Sequence, residues 1–146
     1  MLTRSATGDR VLRHPEEPPI GAHLVTPRTG FVHHGIYVGA GKVIHCGSVS
    51  GFLPRGPVEE VSLWYFGRGR PVSVRCSAPA RFAPQEVVRR ARSRIGEDQY
   101  RLLTNNCEHF CEWCLHGRQR SYQVDCCMRW LRPWSQRGHE YDLAVR

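Results

Sequence analysis

The feature that most constrains the fold is a hairpin pattern in residues 31–46. The segment Phe31-Val32-His33-His34-Gly35-Ile36-Tyr37-Val38 is rich in β-branched and aromatic residues, which favour extended strands. A tight turn follows at Gly39-Ala40-Gly41, and Lys42-Val43-Ile44-His45-Cys46 has the composition of a returning strand. The sequence therefore predicts an antiparallel hairpin here.

The rest of the chain shows further strand patterns and then helical ones. Strand composition is found in three more segments, which are Ile20–Thr26 (ended by Pro27), Val61–Phe66 and Pro71–Cys76. Helical signals are found in three segments, which are about 84–95 (Pro84 in the first turn, Gly96 as the stop), 107–116 (Gly117 at C′) and 121–131 (closed by Pro133). The expected architecture is α+β, a small antiparallel sheet packed against two or three helices.

Length and composition fit one soluble domain with polar ends. We expect a flexible arm in residues 1–19, a folded domain in residues 20–131 and a polar tail in residues 132–146. The Gly/Ser/Pro-rich segment 47–57 predicts a loop that could serve as a lid. No apolar run reaches the roughly 18–20 residues of a membrane-spanning helix, and the first residues resemble no signal peptide. A cytoplasmic location with seven reduced cysteines is the expectation.

The charge of the chain is strongly positive. Its formal net charge is +8, and Lys42 is the single lysine among 21 basic residues. Such an excess of basic residues can favour binding to nucleic acid or to an anionic membrane. It can equally reflect the codon bias of a GC-rich genome. Because the arginines are scattered and no DNA- or RNA-binding motif is present, we expect no nucleic-acid partner. Peripheral contact with an anionic membrane, or a non-enzymatic arginine-rich binding module, stays open.

A possible nucleophile stands at the start of the second predicted helix. Asn106 is a preferred N-cap residue, and Cys107 follows it in the first turn. The unpaired N–H groups and the dipole at a helix N-terminus lower the pKa of a thiol, so we expect Cys107 to be reactive. The same N–H groups could stabilise an oxyanion.

Two histidines of the hairpin could act on that thiol. If Gly35 lies opposite His45, then His33 and His45 share a face as diagonal neighbours, and Gly35 leaves room between the rings. If Ala40-Gly41 is a two-residue turn, the faces differ unless a bulge shifts the register. In such a set, His33 would take the thiol proton and His45 would fix the His33 tautomer.

Three motifs in order resemble the lecithin:retinol acyltransferase-like family, a circularly permuted relative of the NlpC-type cysteine peptidases. They are His33-His34-Gly35-Ile36-Tyr37-Val38-Gly39, Val43-Ile44-His45 and Asn106-Cys107-Glu108-His109-Phe110. The resemblance covers roughly residues 20–120 and implies a permuted papain-like fold with a catalytic Cys107, His33 and His45. It also implies transfer or hydrolysis of lipid acyl esters through a thioester, without metal or cofactor. An NlpC-type amidase or peptidase is the alternative within the same chemistry.

Other cysteines and histidines have simpler interpretations. Cys107, Cys111 and Cys114 share one face of the predicted helix, so the last two are expected to be packed thiols and not cluster ligands. Cys126-Cys127 with His109 and His116 could form a zinc site, which we consider the weaker alternative. His34 should face away from His33, and His109 should make a structural hydrogen bond.

Overall fold

The computed structural model describes residues 8–47, 56–76, 78–99 and 106–118, together with Val124, Met128 and Arg129. Its strands are β1 (Arg10–Val11), β2 (His23–Arg28), β3 (Phe31–Gly39), β4 (Lys42–Cys46), β5 (Val58–Ser62) and β6 (Ser73–Val74). Its helices are α1 (Leu63–Gly67), α2 (Pro84–Ser93) and α3 (Cys107–His116). The strands form one antiparallel sheet in the order β1-β6-β2-β3-β4-β5. The predicted α+β class is confirmed.

The two faces of the sheet pack against different helices. Side chains alternate between the faces of a strand, so neighbours in β3 have different surroundings. Ile36 and Val38 belong to the core that the sheet forms with α2 and α3. Tyr37 belongs to the second core, which contains Phe66 of α1. By this alternation, His34 lies on the α2/α3 face and His33 on the α1 face.

A bulge near the β3–β4 turn sets the register of the hairpin. Ala40 and Gly41 both have positive φ, 50° and 69°, as a two-residue type I′ turn requires. The register shifts between Tyr37 and Gly39, and Gly35 then lies opposite His45. A bulge adds one residue to one strand and exchanges its two faces relative to the partner. The hairpin therefore combines the two-residue turn with the register that puts His33 and His45 on one face.

The predicted end of the first strand at Thr26 was wrong. Strand β2 continues through Pro27 to Arg28 and pairs there with the start of β3. On its other side, β2 pairs with β6 only at Leu24 and Val25. Pro27 lies beyond that contact, and its carbonyl accepts from the side chains of Arg28 and Arg70. The missing proline N–H therefore removes no ladder hydrogen bond.

The aromatic segment is helical, which corrects the predicted strand at 61–66. Strand β5 ends at Ser62, whose side chain accepts from Tyr65 N–H and caps α1. The turn of helix ends where Arg68 adopts a left-handed conformation with φ 49°. A local cap thus outweighs the strand propensity of three consecutive aromatic residues. The predicted strand 71–76 is shorter than expected, and α2 ends at Ser93, two residues before the expected end.

Part of the predicted arm belongs to the sheet. Arg10 and Val11 pair with Val74 and Ser73, and the N–H of Leu12 donates to the carbonyl of Val72. The flexible interpretation of residues 1–19 is therefore wrong for this strand. The tail 132–146 lies outside the described residues, as do most of the predicted helix 121–131 and most of the predicted loop 47–57. Within the described ranges, no helix is long and apolar enough to cross a membrane.

We expect Gly35→Ala to destabilise the fold by about 1–3 kcal/mol through overpacking. A Cβ at position 35 would lie 2.7 Å from Val43 Cγ1 and 2.8 Å from Phe66 Cε2. Urea unfolding measures this cost. Phe66→Leu makes room at the same point, so the double variant should be less destabilised than the sum of the single variants. Simple additivity would show that the Phe66 ring is not what excludes a side chain at position 35.

Candidate active site

His33 and His45 form a buried hydrogen-bonded pair. His33 Nε2 lies 2.7 Å from His45 Nδ1, and the residues are 3% and 4% exposed. The contact is the diagonal one that the register allows, since His45 is paired with Gly35 and not with His33 itself. The structure thus brings these two predicted site residues into direct contact.

Phe66 fills the space above Gly35, and the sequence analysis missed it. Its ring centroid lies 5.3 Å from that of His33 and 5.8 Å from that of His45. Gly35 therefore makes room for a third ring, in addition to separating the two imidazoles. The signal was present in the aromatic run, but the assignment of that run to a strand hid which of its residues reaches the hairpin.

Cys107 lies at the first position of α3, as predicted. The Asn106 side chain accepts from the N–H groups of Glu108 and His109, at 3.0 Å each. His109 Nδ1 accepts in return from the N–H of Asn106 at 3.2 Å, which completes a capping box and confirms the structural role expected of His109. The N–H groups of Glu108 and His109 are thus engaged by the cap.

The sulfur of Cys107 lies where β3 and β4 separate. The N–H of Tyr37 donates to the carbonyl of Ala22, on the β2 side of β3. The N–H of His34, an odd number of residues away, is therefore directed toward β4. The pairing of β3 with β4 ends at Gly35 and His45. One residue beyond, the backbone N–H of His34 donates to the Cys107 thiol. That N–H belongs to the peptide joining His33 to His34, so the sulfur lies at the backbone of β3 where its pairing with β4 ends.

Burial keeps the thiol and both imidazoles neutral. It raises the pKa of Cys107 to about 12, although backbone hydrogen bonds from His34 and Glu108 oppose that rise. Burial, the neighbouring His45, Arg28 and Arg68 hold the pKa of His33 well below its usual value near 6.5. Burial, Arg68 and Arg28 lower the pKa of His45 to about 4. The expectation that the helix N-terminus lowers the thiol pKa was wrong, because the cost of burying a thiolate is larger.

Charged side chains surround the histidine pair. Glu59, directly opposite His45 on β5, places Oε1 3.2 Å from His45 Nε2. Arg28 donates to the carbonyl of Phe66 at 2.6 Å, and Arg68 follows at the C-terminus of α1. Glu59 was not predicted as a site residue, because the predicted strand began at Val61, two residues after this glutamate.

A second histidine pair lies on the α2/α3 face. His23 Nε2 and His34 Nδ1 are 2.8 Å apart, and both rings are buried. His34 therefore faces away from His33, as predicted, and is packed. Burial, together with the charge of neighbouring groups that include Arg75, keeps the pKa of both rings well below the usual value.

The two other cysteines of α3 are packed thiols. Cys111 and Cys114 are buried in the core between the sheet and the helices, which confirms that prediction. Cys126 and Cys127, the other half of the alternative zinc site, lie outside the described residues. In the ranges that are described, no group of three or more His, Cys, Asp or Glu side chains is placed to hold a metal ion.

The protein is an α+β domain in which a cysteine opens a helix and two histidines of the sheet form a buried pair. The chain belongs to the lecithin retinol acyltransferase family, whose model matches residues 16–120. Phospholipase A and acyltransferase 2 from Homo sapiens is 29% identical over 123 residues, which cover 73% of this chain and 76% of that protein. Lecithin retinol acyltransferase from Bos taurus is 30% identical over 138 residues, and that from Mus musculus is 27% identical over 132 residues. Each of the latter two matches covers 72% of this chain, which spans 57% of those relatives' length.

We expect Cys107 to react slowly with iodoacetamide at neutral pH. Only the thiolate is nucleophilic, and below the pKa its fraction rises tenfold per pH unit. Labelling of Cys107 should therefore be at least about tenfold slower than labelling of the exposed Cys76 at pH 7.5, and it should keep rising up to pH 9.5. Peptide-resolved mass spectrometry measures both rates, with Cys76→Ala as the control. A Cys107 rate that levels off near pH 8 would contradict the raised pKa.

Proposed function

We propose that this chain is a cysteine-dependent acyltransferase or hydrolase that acts on acyl esters of lipids through a thioester acyl-enzyme. The observation that carries the proposal is the contact of the Cys107 thiol with the backbone N–H of His34, which directly follows His33 of the hydrogen-bonded His33–His45 pair. The lipid class is supported by the relatives, whose names specify phospholipase A, acyltransferase and lecithin retinol acyltransferase activities. The chemistry needs no cofactor.

Acylation begins from a neutral thiol. His33 Nε2 is engaged with His45, which leaves Nδ1 as the nitrogen that can act as a base. As Sγ attacks the ester carbonyl carbon, the thiol proton moves to Nδ1, and the carbonyl π electrons move to oxygen. The tetrahedral intermediate then breaks its C–O bond, and the leaving alcohol takes the proton from His33. Proton transfer that accompanies attack avoids a free thiolate, which burial disfavours.

Backbone donors at the sulfur are assigned to the oxyanion. The N–H groups of His34, Glu108 and Cys107 contact Sγ in the resting site, and that of Glu108 also donates to the Asn106 side chain. When the sulfur bonds to carbon, the N–H groups of His34 and Cys107 can donate instead to the developing oxyanion.

Deacylation reverses the same steps with a second nucleophile. Water or an acceptor alcohol or amine gives a proton to His33 Nδ1 and attacks the thioester carbonyl. The C–S bond breaks, and the proton on His33 returns to sulfur. Hydrolysis and transfer differ only in which nucleophile reaches the thioester.

The test is turnover of phospholipid in vesicles, together with mass spectrometry of the protein. The wild-type chain should release lysophospholipid and carry one acyl mass on Cys107. We expect Cys107→Ala to abolish both signals and His33→Gln to lower turnover by roughly 10²–10⁴-fold. Cys76→Ala, at an exposed thiol, is the matched control and should behave as wild type.

Two outcomes would overturn the assignment in different ways. Equal turnover by wild type and Cys107→Ala would remove the thiol mechanism. Faster turnover of an N-acyl amide or a muropeptide than of any lipid ester would replace the lipid substrate by that of an amidase.

We also propose that the surface around α1 contacts an anionic membrane. Trp64 is 81% exposed and Tyr65 is 43% exposed, although both are aromatic. Arg28, Arg68 and Arg70 lie around the same helix, where Arg28 donates to Phe66 and Arg68 stacks over Tyr65. Aromatic side chains beside arginines suit the boundary between lipid headgroups and acyl chains. This surface covers the His33–His45 pair, so contact with a membrane would bring lipid to the site.

Trp64→Ser should weaken binding to phosphatidylglycerol vesicles by about tenfold, because it removes apolar area from the lipid boundary. Co-sedimentation measures the affinity, which should also fall as salt screens the arginines. Ile95→Ser is the matched control, since Ile95 is an exposed apolar residue after α2. Equal losses of affinity in Trp64→Ser and Ile95→Ser would contradict the proposed membrane surface. Binding to phosphatidylcholine vesicles in high salt that is as tight as binding to phosphatidylglycerol vesicles would also contradict it.

A further inference from the structure

We infer that Glu59 is a positioning residue that fixes the tautomers of His45 and His33, so that the lone pair of His33 lies at Nδ1, the nitrogen assigned to the base. This inference rests on the proposed function and adds to it the group that prepares the base. Nothing in the sequence motifs that define the site includes position 59.

The tautomers follow from what each atom can do. A carboxylate only accepts hydrogen bonds, so the contact of 3.2 Å between Glu59 Oε1 and His45 Nε2 requires the proton on that nitrogen. A neutral imidazole carries one N–H, so His45 Nδ1 must then be an acceptor. The contact of 2.7 Å to His33 Nε2 therefore requires the proton on His33 Nε2.

The lone pair of His33 is thereby placed at Nδ1. This nitrogen is buried and has no hydrogen-bond partner among the residues that the structure describes. It belongs to the residue whose following peptide N–H holds the Cys107 sulfur. If the tautomers were reversed, Nδ1 would carry a proton and could not accept the proton of the thiol.

Gly47 makes room for the carboxylate. A Cβ at position 47 would lie 2.7 Å from Glu59 Oε1 and 2.9 Å from Glu59 Cδ. The φ of Gly47 lies outside the range that favours glycine, so the backbone itself does not require this residue. Hydrogen bonds of 2.8 Å to the carbonyl of Pro57 and from the N–H of Gly56 fix the segment there. A side chain at position 47 would therefore displace the Glu59 carboxylate from its place beside His45.

The charge of Glu59 also matters when the proton moves. As the thiol gives its proton to Nδ1, the histidine pair gains a positive charge near Arg28 and Arg68, which oppose it. Among the described residues, Glu59 is the carboxylate that contacts that pair, at 3.2 Å from His45 Nε2. Its side chain is 42% exposed, so water weakens the attraction between the carboxylate and the charged pair.

The experiment compares Glu59→Ala and Glu59→Gln with wild type, using tautomers and kinetics. Nitrogen-15 NMR of the histidine rings reports which nitrogen carries the proton in the free protein. We expect Glu59→Ala to convert both rings to tautomer mixtures and to lower kcat by about tenfold with KM within twofold. Glu59→Gln, whose amide oxygen can still accept, should keep the tautomers and lose less activity.

Two further variants separate this role from a general effect on the sheet. Glu60→Ala removes the next carboxylate, which faces Arg92 at 3.7 Å, and should change neither readout. Gly47→Ala should displace the Glu59 carboxylate and reproduce the effect of Glu59→Ala. The double variant Gly47→Ala/Glu59→Ala should lose no more activity than Glu59→Ala alone.

The outcomes distinguish this inference from the proposed function. Unchanged tautomers in Glu59→Ala would overturn the inference even if Cys107→Ala is inactive. Altered tautomers with kcat within twofold of wild type would likewise overturn a role in the reaction. If Cys107→Ala keeps full activity, the proposed function fails, while the NMR comparison still decides whether Glu59 sets the tautomers.

Discussion

The register of the β3–β4 hairpin is the constraint on which the other features of the site depend. The bulge after Tyr37 puts His45 opposite Gly35, and a shift of one residue would move every side chain of β4 to the other face. His45 would then leave His33, and Phe66 would lose the position above Gly35 where it contacts both rings. Glu59 meets His45 through a second register, that of β4 with β5, in which the two residues lie directly opposite each other.

Burial decides the electrostatics of this site, more than the helix N-terminus does. The first turn of α3 offers partial positive charge to Cys107, an effect usually limited to about 0.3–1 kcal/mol, up to about 2 where partly buried. The thiol pKa nevertheless rises to about 12, since the sulfur is enclosed by the sheet and the helix. A buried base with a lowered pKa is suited to such a thiol, because both partners stay neutral until a substrate carbonyl arrives. The fold therefore supports a proton transfer coupled to attack better than a preformed ion pair.

Local signals in the sequence were sufficient where a single element settles the structure. The bounds of α3 and its Gly117 cap follow from Asn106 at one end and a glycine at the other. Local signals failed where a distant contact decides the structure, as at Pro27. Strand β2 tolerates a proline there only because its pairing with β6 does not extend beyond Val25. The His33–His45 contact was predictable as one of two registers, and the bulge that selects it has no sequence signal of its own. Glu59 was not predictable, because its role depends on a strand start that composition placed three residues late.

The two histidine pairs show that a close pair of imidazoles does not by itself make a site. The contact between His23 and His34 is 2.8 Å, almost the same as that between His33 and His45, and both pairs are buried. The pairs lie on opposite faces of the sheet, His33 and His45 on the α1 face and His23 and His34 on the α2/α3 face. In the first pair, the position of the Glu59 carboxylate assigns the lone pair to Nδ1 of His33. The contact with the carboxylate, and not the distance between the rings, is therefore what identifies the base.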